Sequence, residues 1–207
     1  MNRRNYQKEC DELLNRIKGK KPSLLLHICC APCSSYTLEY LNQYFDITVF
    51  FYNPNITKKE EYEKRREEEK RFLSEYPFMN QPAFIEGDFE PDVFLEMARG
   101  LEEVPEGGIR CHQCYELRLK KTAELAREKN FDYFCTSLSI SPHKNADKLM
   151  EIGERLSKQC GVSYLPSDFK KKNGYKRSIE LSKEYHLYRQ NYCGCQFSKE
   201  AVKWRKA

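Results

Sequence analysis

The 207-residue chain lacks any apolar run that approaches the roughly 18 residues needed for a helix to cross a membrane. Its first residues, Met-Asn-Arg-Arg-Asn-Tyr-Gln-Lys, also lack the apolar stretch of a secretory signal peptide. These two absences predict a cytoplasmic protein with no membrane partner, whose thiols are kept reduced. A framework of structural disulfides is therefore not expected, although the chain contains ten cysteines.

Glycine is missing where a phosphate-binding loop would need it. The apolar run at residues 23–28 is followed by Cys-Cys-Ala-Pro-Cys rather than by a glycine-rich turn. Sulfur-transfer enzymes that act on tRNA through an ATP-bound intermediate usually carry a Ser-Gly-Gly-x-Asp-Ser loop at this position. The absence of that loop argues against this class.

Seven of the ten cysteines fall into three tight clusters. Thiols at such spacings usually bind a metal, hold an iron–sulfur cluster or cycle as a disulfide. Cys10, Cys135 and Cys160 stand alone and are expected to pack as small apolar side chains. The three clusters are Cys29-Cys30-Ala-Pro-Cys33, Cys111-His-Gln-Cys114 and Cys193-Gly-Cys195.

Short apolar runs alternate with longer helical segments, which predicts an α/β fold with a parallel sheet. In such a sheet ligands bind outside the carboxyl ends of the strands, and the first cysteine cluster follows the first strand directly. No repeat or linker is visible, so residues 1–207 are predicted to form a single domain. Strands are expected at 23–28, 47–52, 83–85, 133–136 and 162–165, and helices at 5–18, 34–43, 57–76, 91–98, 111–129 and 146–159, with two short helices flanking the last cysteine pair.

The first two clusters can together supply four thiolates to one centre. Cys29 and Cys30 are the favoured ligands of the first cluster, with Cys33 in support at the start of a helix, where a thiol pKa is lowered. Cys111 and Cys114 lie about one helical turn apart and can face one metal, although a lone Cys-x-x-Cys motif could equally be a redox pair. Four thiolates suit zinc or a four-iron cluster.

Charged and titratable residues near the clusters add further candidates. Arg110 and Arg118 could balance some of the anionic charge of a thiolate centre. Asp88, at the end of the third strand, could be a ligand or an acid, and His112 is a candidate proton donor. His27, on the strand before the first cluster, is interpreted as a core histidine rather than a ligand.

The third cluster has a different spacing, with one flexible glycine between two thiols. This arrangement suits a reversible, strained disulfide or a second metal site. A purely structural zinc protein has little need for a third pair. Cys193 and Cys195 therefore favour redox chemistry.

Positive charge is concentrated at the C-terminal end. Residues 166–207 contain 11 lysines and arginines against four acidic residues, whereas the preceding residues contain 25 against 27. This block predicts a polyanionic partner, RNA or DNA, although a merely solvated basic face is the alternative. Interleaved aromatic groups suit stacking on an unpaired base. The candidate contacts are Lys170, Lys171, Lys172, Lys176, Arg177, Arg189 and Tyr192.

Five strings of residues, in order along the chain, carry a family resemblance. They are His27-Ile-Cys-Cys-Ala-Pro-Cys33, Arg110-Cys-His-Gln-Cys114, Ser141-Pro-His-Lys144, Asp168-Phe-Lys-Lys-Lys172 and Leu187-Tyr-Arg-Gln-Asn-Tyr-Cys-Gly-Cys195. Together they resemble QueH, the family of cobalamin-independent epoxyqueuosine reductases. The resemblance begins near residue 22, so the N-terminal helix of residues 1–21 lies outside it.

The resemblance implies a Rossmann-like fold similar to that of nucleotide alpha hydrolases. It implies the last step of queuosine synthesis, in which the epoxide of epoxyqueuosine at the wobble position of tRNA is reduced to the cyclopentene of queuosine. It also implies a [4Fe-4S] cluster bound by Cys29, Cys30, Cys111 and Cys114, with a second iron as a further option. Cys193 and Cys195 would be the redox-active pair, served by an electron donor that the sequence does not identify.

Two other classes remain open on the sequence alone. A zinc-stabilised RNA-binding module without catalytic activity would use the same thiols and the same basic block. A thiol–disulfide oxidoreductase that acts on proteins is less favoured, because it would not need seven clustered cysteines.

Overall fold

A parallel sheet of five strands forms the centre of the computed structural model, which describes residues 4–199. The strand order is β3-β2-β1-β4-β5, and every adjacent pair is parallel. The sheet confirms the predicted α/β class and its Rossmann-like parallel architecture. The strands are β1 (Ser23–Ile28), β2 (Asp46–Phe51), β3 (Ala83–Glu86), β4 (Tyr133–Thr136) and β5 (Ser163–Tyr164).

Helices connect the strands and cover the sheet. Within the described residues α2 packs against α7, α5 packs against α6, and α5 also contacts β1 and β4. The helices are α1 (Tyr6–Ile17), α2 (Ala31–Leu41), α3 (Lys59–Glu75), α4 (Pro91–Ala98), α5 (Ile109–Glu128), α6 (Ala146–Cys160) and α7 (Gly174–Glu184), with a 3₁₀ helix at Ser137–Ile140.

Most element boundaries lie within a few residues of those predicted. The helix α2 begins at Ala31 rather than at residue 34, because Pro32 is tolerated in the first turn, where its missing N–H is not needed. The last strand is only two residues long. The second short helix near the final cysteine pair is described only over residues 196–199.

The central strand β1 is anchored by a buried histidine. His27 is fully buried, with Nε2 3.0 Å from the Tyr52 carbonyl and Nδ1 2.9 Å from the Thr136 hydroxyl. A carbonyl can only accept, so Nε2 donates to Tyr52 and Nδ1 accepts from Thr136. Burial, and after it the nearby charge of Arg118, lower the pKa of His27 to about 3. The interpretation of His27 as a core histidine is confirmed.

The isolated cysteines and the N-terminal helix belong to the core. Cys10 and Cys135 are fully buried and Cys160 is partly buried, as expected of packing residues. The helix α1 carries Cys10 against the core, and its Asp11 forms an ion pair with Lys172. The long-range ion pair ties the first helix to the beginning of the basic C-terminal block.

The order in which strands are added to the sheet reverses at β1, and this reversal determines where the site lies. The chain passes from β1 outward through β2 to β3, and then returns to place β4 on the other side of β1. Ligands of such sheets bind at this switch point, outside the carboxyl ends of the strands. The first cysteine cluster follows β1 there, and the 3₁₀ helix follows β4 at the same edge.

No helix within residues 4–199 is both long enough and apolar enough to span a bilayer.

Candidate functional site

The first cysteine cluster forms a compact group of three thiols at the turn from β1 to α2. The sulfur atoms of Cys29, Cys30 and Cys33 all lie within 4.8 Å of one another, and those of Cys29 and Cys30 are 3.7 Å apart. Cys30 is the extended N-cap of α2, and its carbonyl accepts from the amides of Cys33 and Ser34. The change of backbone direction at Cys30 lets adjacent side chains converge, whereas in a strand they would point apart.

The three thiols share one preferred thiolate. Hydrogen bonds from Cys29 and Cys33 hold the pKa of Cys30 well below its usual value. The contact with Cys30 raises the pKa of Cys29, and contacts with both neighbours raise the pKa of Cys33. Gln190 adds a donor, with Nε2 2.9 Å from the Cys30 sulfur. Cys33, which the sequence treated as a supporting thiol, is therefore in the same group as the two favoured ligands.

The second and third cysteine clusters line one small cavity together. Cys111 and Cys114 enter it from the first two turns of α5, and Cys193 and Cys195 enter it from the C-terminal segment. All ten cysteines are free thiols, so the Cys193–Cys195 pair is described in its reduced form. Sequence reasoning paired the first cluster with the second and did not predict that the third cluster meets the second.

Arg118 lines the four-thiol cavity and interacts electrostatically with both thiol groups. Its side chain is fully buried, and its Nε donates to the Cys114 carbonyl at 3.1 Å. The guanidinium interacts electrostatically with Cys114 and Cys193 of the cavity and with Cys29 of the first cluster. The expectation that Arg118 balances the charge of a thiolate centre is thus supported by its position.

Arg110 also anchors the loop before α5. Its Nη1 donates to the carbonyls of Leu101, Glu102 and Val104 at 2.5–2.8 Å, and its guanidinium lies over the Phe197 ring. The side chain lines the cavity but uses its hydrogen-bonding capacity to hold the loop before α5.

The donor set fits an anionic metal centre. Arg118 Nη1 and Nη2 and the Tyr115 hydroxyl are buried without a hydrogen-bond partner among residues 4–199. Unpaired buried cations are costly, so these groups call for an anion between the thiols. A thiolate-ligated iron–sulfur cluster carries such a charge, and buried cysteines are its usual ligands.

Lys144 is a site residue that the sequence motifs did not single out for a role. Its side chain is buried, and its Nζ lies 3.1 Å from the Cys193 sulfur and 3.8 Å from a Glu106 carboxyl oxygen. Burial acts to raise the pKa of Cys193, but Lys144 and then Arg118 outweigh it and lower that pKa. Burial raises the pKa of Cys114 to about 12. Cys193 is therefore the preferred thiolate of its cavity.

The glycine between Cys193 and Cys195 adopts a left-handed conformation in a closely packed turn. Gly194 has φ +114°, and a Cβ there would lie 2.8 Å from an Ile56 side-chain carbon. Arg65 and Asn55 donate to the Cys193 carbonyl at 3.2 and 3.4 Å. The positive φ uses the conformational freedom expected of a glycine, and α3 and the loop before it pack against this turn.

A larger pocket of about 300 Å³ opens beside both thiol groups. Cys29, Cys33 and Cys193 contribute to its lining, opposite residues of the loop that follows β4. Arg189 and Tyr192, two of the predicted RNA-contacting residues, also line it. The volume suits one small ligand or one unstacked base.

The two acid–base candidates lie apart from these cavities. Asp88 is exposed after the edge strand β3 and lines none of the pockets described. His112 points toward the Tyr115 ring, 6.1 Å between centroids, and its Nε2 has no hydrogen-bond partner within residues 4–199. Neither residue is part of the lining of the pockets described.

The predicted basic contacts divide into paired and unpaired side chains. Lys170 pairs with Asp168, Lys172 with Asp11, and Arg177 with Glu39. Lys171 and Lys176 are exposed, and no partner is found for either in the described part of the chain. Lys170 and Lys171 line an open groove that shares residues 142–144 with the thiol pocket. Residues 200–207 of the basic block lie outside the described residues.

Comparison with known proteins gives one consistent result. The family model for epoxyqueuosine reductase QueH matches residues 24–201. A protein of that name from Streptococcus pyogenes serotype M1 is 51% identical over 180 residues, covering 86% of this chain and 71% of the relative. The Staphylococcus epidermidis protein is 44% identical over 94% of this chain and 84% of its own length. The Thermotoga maritima protein is 35% identical over 85% of this chain and 90% of its own length.

Proposed function

Because the chain belongs to the epoxyqueuosine reductase QueH family, we propose that it reduces the epoxide of epoxyqueuosine to the cyclopentene of queuosine. The proposed substrate is the modified nucleoside at the wobble position of tRNA, and the reaction is the last step of queuosine synthesis. The observation that carries the proposal is that Arg118, whose terminal nitrogens have no hydrogen-bond partner among residues 4–199, interacts with cysteines of both thiol groups, the three-thiol cluster and the four-thiol cavity.

The proposed cofactor is an iron–sulfur cluster, with Cys29, Cys30, Cys111 and Cys114 as its ligands. Arg118 supports this set, because one guanidinium interacts with Cys29 of the first pair and with Cys114 of the second. Cys33 is the remaining candidate ligand, for this cluster or for a second iron. When bound, such a cluster would supply electrons singly, and a second iron with an open coordination position would offer a Lewis acid for the epoxide oxygen.

The Cys193–Cys195 pair can supply the two electrons that the reduction of the epoxide consumes. Converting an epoxide to an alkene and water consumes two electrons and two protons. When the Cys193 thiolate and the Cys195 thiol close to a disulfide, they release two electrons and one proton. The second proton comes from solvent, and an external electron donor must afterwards reduce the disulfide. Lys144 favours this role by stabilising Cys193 as a thiolate, the reactive form.

The pocket beside the thiols is the proposed site of the modified base. Anticodon-loop bases are unpaired and can leave the stack at low cost. Tyr192 provides an aromatic face and Arg189 a cation for a phosphate, and both line the pocket. The groove that contains Lys170 and Lys171 continues from the pocket and offers a path for the adjoining RNA strand.

Anaerobic turnover tests the proposal. The purified protein is incubated with tRNA containing epoxyqueuosine and a chemical reductant, and the nucleosides are quantified by mass spectrometry. We expect conversion to queuosine by the wild type, and loss of both conversion and the broad visible absorbance in Cys29→Ala and Cys111→Ala. Cys160→Ala, a partly buried thiol outside the site, is the matched control and should behave as the wild type.

Two outcomes would contradict the proposal. Activity that persists in a variant without the visible absorbance would show that no cluster is required. A colourless wild type that binds one zinc per chain and converts no epoxyqueuosine would favour the zinc-stabilised RNA-binding module instead.

A further inference from the structure

Arg118 is a buried cation whose hydrogen-bonding capacity is mostly unused. It lies on α5 one turn after Cys114, so that both side chains share a helix face. Its Nε is satisfied by the Cys114 carbonyl, but Nη1 and Nη2 have no acceptor among residues 4–199. None of the ion pairs found in that range includes Arg118, so no carboxylate neutralises it there.

The groups around Arg118 show what kind of anion would satisfy it. The groups that interact with it electrostatically are Cys114 and Tyr115 on α5, Cys193 in the C-terminal segment and Cys29 at the end of β1. The charge of Arg118 also lowers the pKa of His27. Apart from the Tyr115 hydroxyl, the groups that can offer the guanidinium a negative charge are therefore thiols.

A second buried cation strengthens this requirement. Lys144 lies in the same cavity, where its Nζ is hydrogen-bonded to the Cys193 sulfur. Arg118 and Lys144 share this space with Arg110, which is hydrogen-bonded to loop carbonyls. Besides the thiols, the acidic group in the lining is Glu106, 3.8 Å from Lys144. Lys144 already contacts the Cys193 sulfur and the Glu106 carboxylate. The two terminal nitrogens of Arg118 have no hydrogen-bond partner within the described residues.

We propose that Arg118 is a positioning residue whose terminal N–H groups donate hydrogen bonds to sulfur atoms of the iron–sulfur centre and thereby raise its reduction potential. The inference rests on the proposed function for the presence of that centre. A reduced cluster carries one more negative charge than an oxidised one, so a fixed cation and N–H···S bonds stabilise the reduced form more. The planar guanidinium can contact two sulfur atoms at once, which an ammonium cannot do in the same way.

Redox titration of anaerobically purified protein tests the inference. Arg118→Met removes the charge and the donors, and Arg118→Lys keeps the charge but loses the planar fork. The midpoint potential is followed by electron paramagnetic resonance, alongside iron and sulfide content and the circular dichroism spectrum. For Arg118→Met we expect the ratio of reduced to oxidised cluster at a fixed potential to fall about tenfold, a shift of about 59 mV to more negative values. Arg118→Lys should shift in the same direction by less.

The control is an arginine that contacts the same helix at the surface. Arg155 pairs with Glu116 of α5 at 2.9 Å, and both side chains are 43% exposed. Arg155→Met should therefore leave the potential unchanged.

The outcomes separate the inference from the function on which it rests. A wild type without iron and sulfide would contradict the proposed function itself. Iron-loaded Arg118 variants with the wild-type potential, or a more positive one, would overturn the inference and leave the function standing. If Arg118→Met does not fold or load iron, the potential of Arg118→Lys decides in the same way.

Discussion

At the scale of single residues, a buried carboxyl group lies behind the first cysteine cluster. Glu69 on α3 is fully buried, and its two carboxyl oxygens lie 2.7 and 2.8 Å from the Ser34 hydroxyl on α2. Burial raises the pKa of Glu69 to about 8, although the Ser34 hydrogen bond acts in the opposite direction. Glu69 is therefore mostly protonated at neutral pH, and it presents a neutral group to the cysteines.

Replacing Glu69 by glutamine should change the pH dependence of stability. The folded-state pKa is about 8, against 4.5 for an exposed glutamate, so the folded chain holds an extra proton between these values. The contribution of Glu69 to the unfolding free energy is complete below pH 4.5, and it falls by at most about 1.4 kcal/mol per pH unit as the pH rises toward 8. Glu69→Gln cannot ionise, so urea unfolding from pH 5 to 9 should show a flatter profile than that of the wild type.

The control for this experiment is on the same helix. The Glu63 side chain is 45% exposed, and Glu63→Gln should keep the wild-type pH profile. Parallel profiles for wild type and Glu69→Gln would show that Glu69 is ionised in the folded protein.

At the scale of elements, the site is built from loops at the carboxyl ends of β1 and β4 and from the start of α5. The apolar runs were enough to predict these strands. The position of each cysteine cluster in the sequence was enough to place the first cluster after β1 and the second at the start of α5. The meeting of Cys193 with Lys144 was not predictable, because it depends on side chains far away in sequence. Arg65 and Asn55 hold the Cys193 carbonyl across more than 100 residues of chain.

The turn at Gly194 should tolerate no side chain. Gly194→Ala is expected to lower the unfolding free energy by about 1–3 kcal/mol, because it combines an unfavourable positive φ with a close approach to Ile56. Gly100 is the matched control, since it has φ +77° but nothing within 4 Å of its Cβ position. Urea unfolding should therefore show a larger loss for Gly194→Ala than for Gly100→Ala. Equal losses would mean that the backbone angle alone accounts for the effect.

At the scale of the whole molecule, the sequence shows that residues 166–207 carry a net positive charge, but it does not predict which of these charges form ion pairs within the chain. Net charge is a property of composition, whereas ion pairing depends on which helix lies nearby. Lys172 forms an ion pair with Asp11 of α1, and Arg177 forms one with Glu39 of α2. Both basic side chains therefore stabilise contacts within the chain. The side chains left for a polyanion are fewer than the composition suggests.

Two neighbouring lysines allow that distinction to be tested on tRNA binding. Lys171 lines the groove beside the thiol pocket without a partner in the described range, whereas Lys172 is paired with Asp11. If Lys171 contacts a phosphate, Lys171→Gln should reduce the slope of log affinity against log salt concentration by about 0.7–0.9, because one fewer counterion is released. Lys172→Gln should leave the slope nearly unchanged. Filter binding between about 50 and 200 mM salt, a range over which the affinity for nucleic acid falls strongly, measures both slopes. An unchanged slope for Lys171→Gln would exclude the groove as the path of the RNA strand.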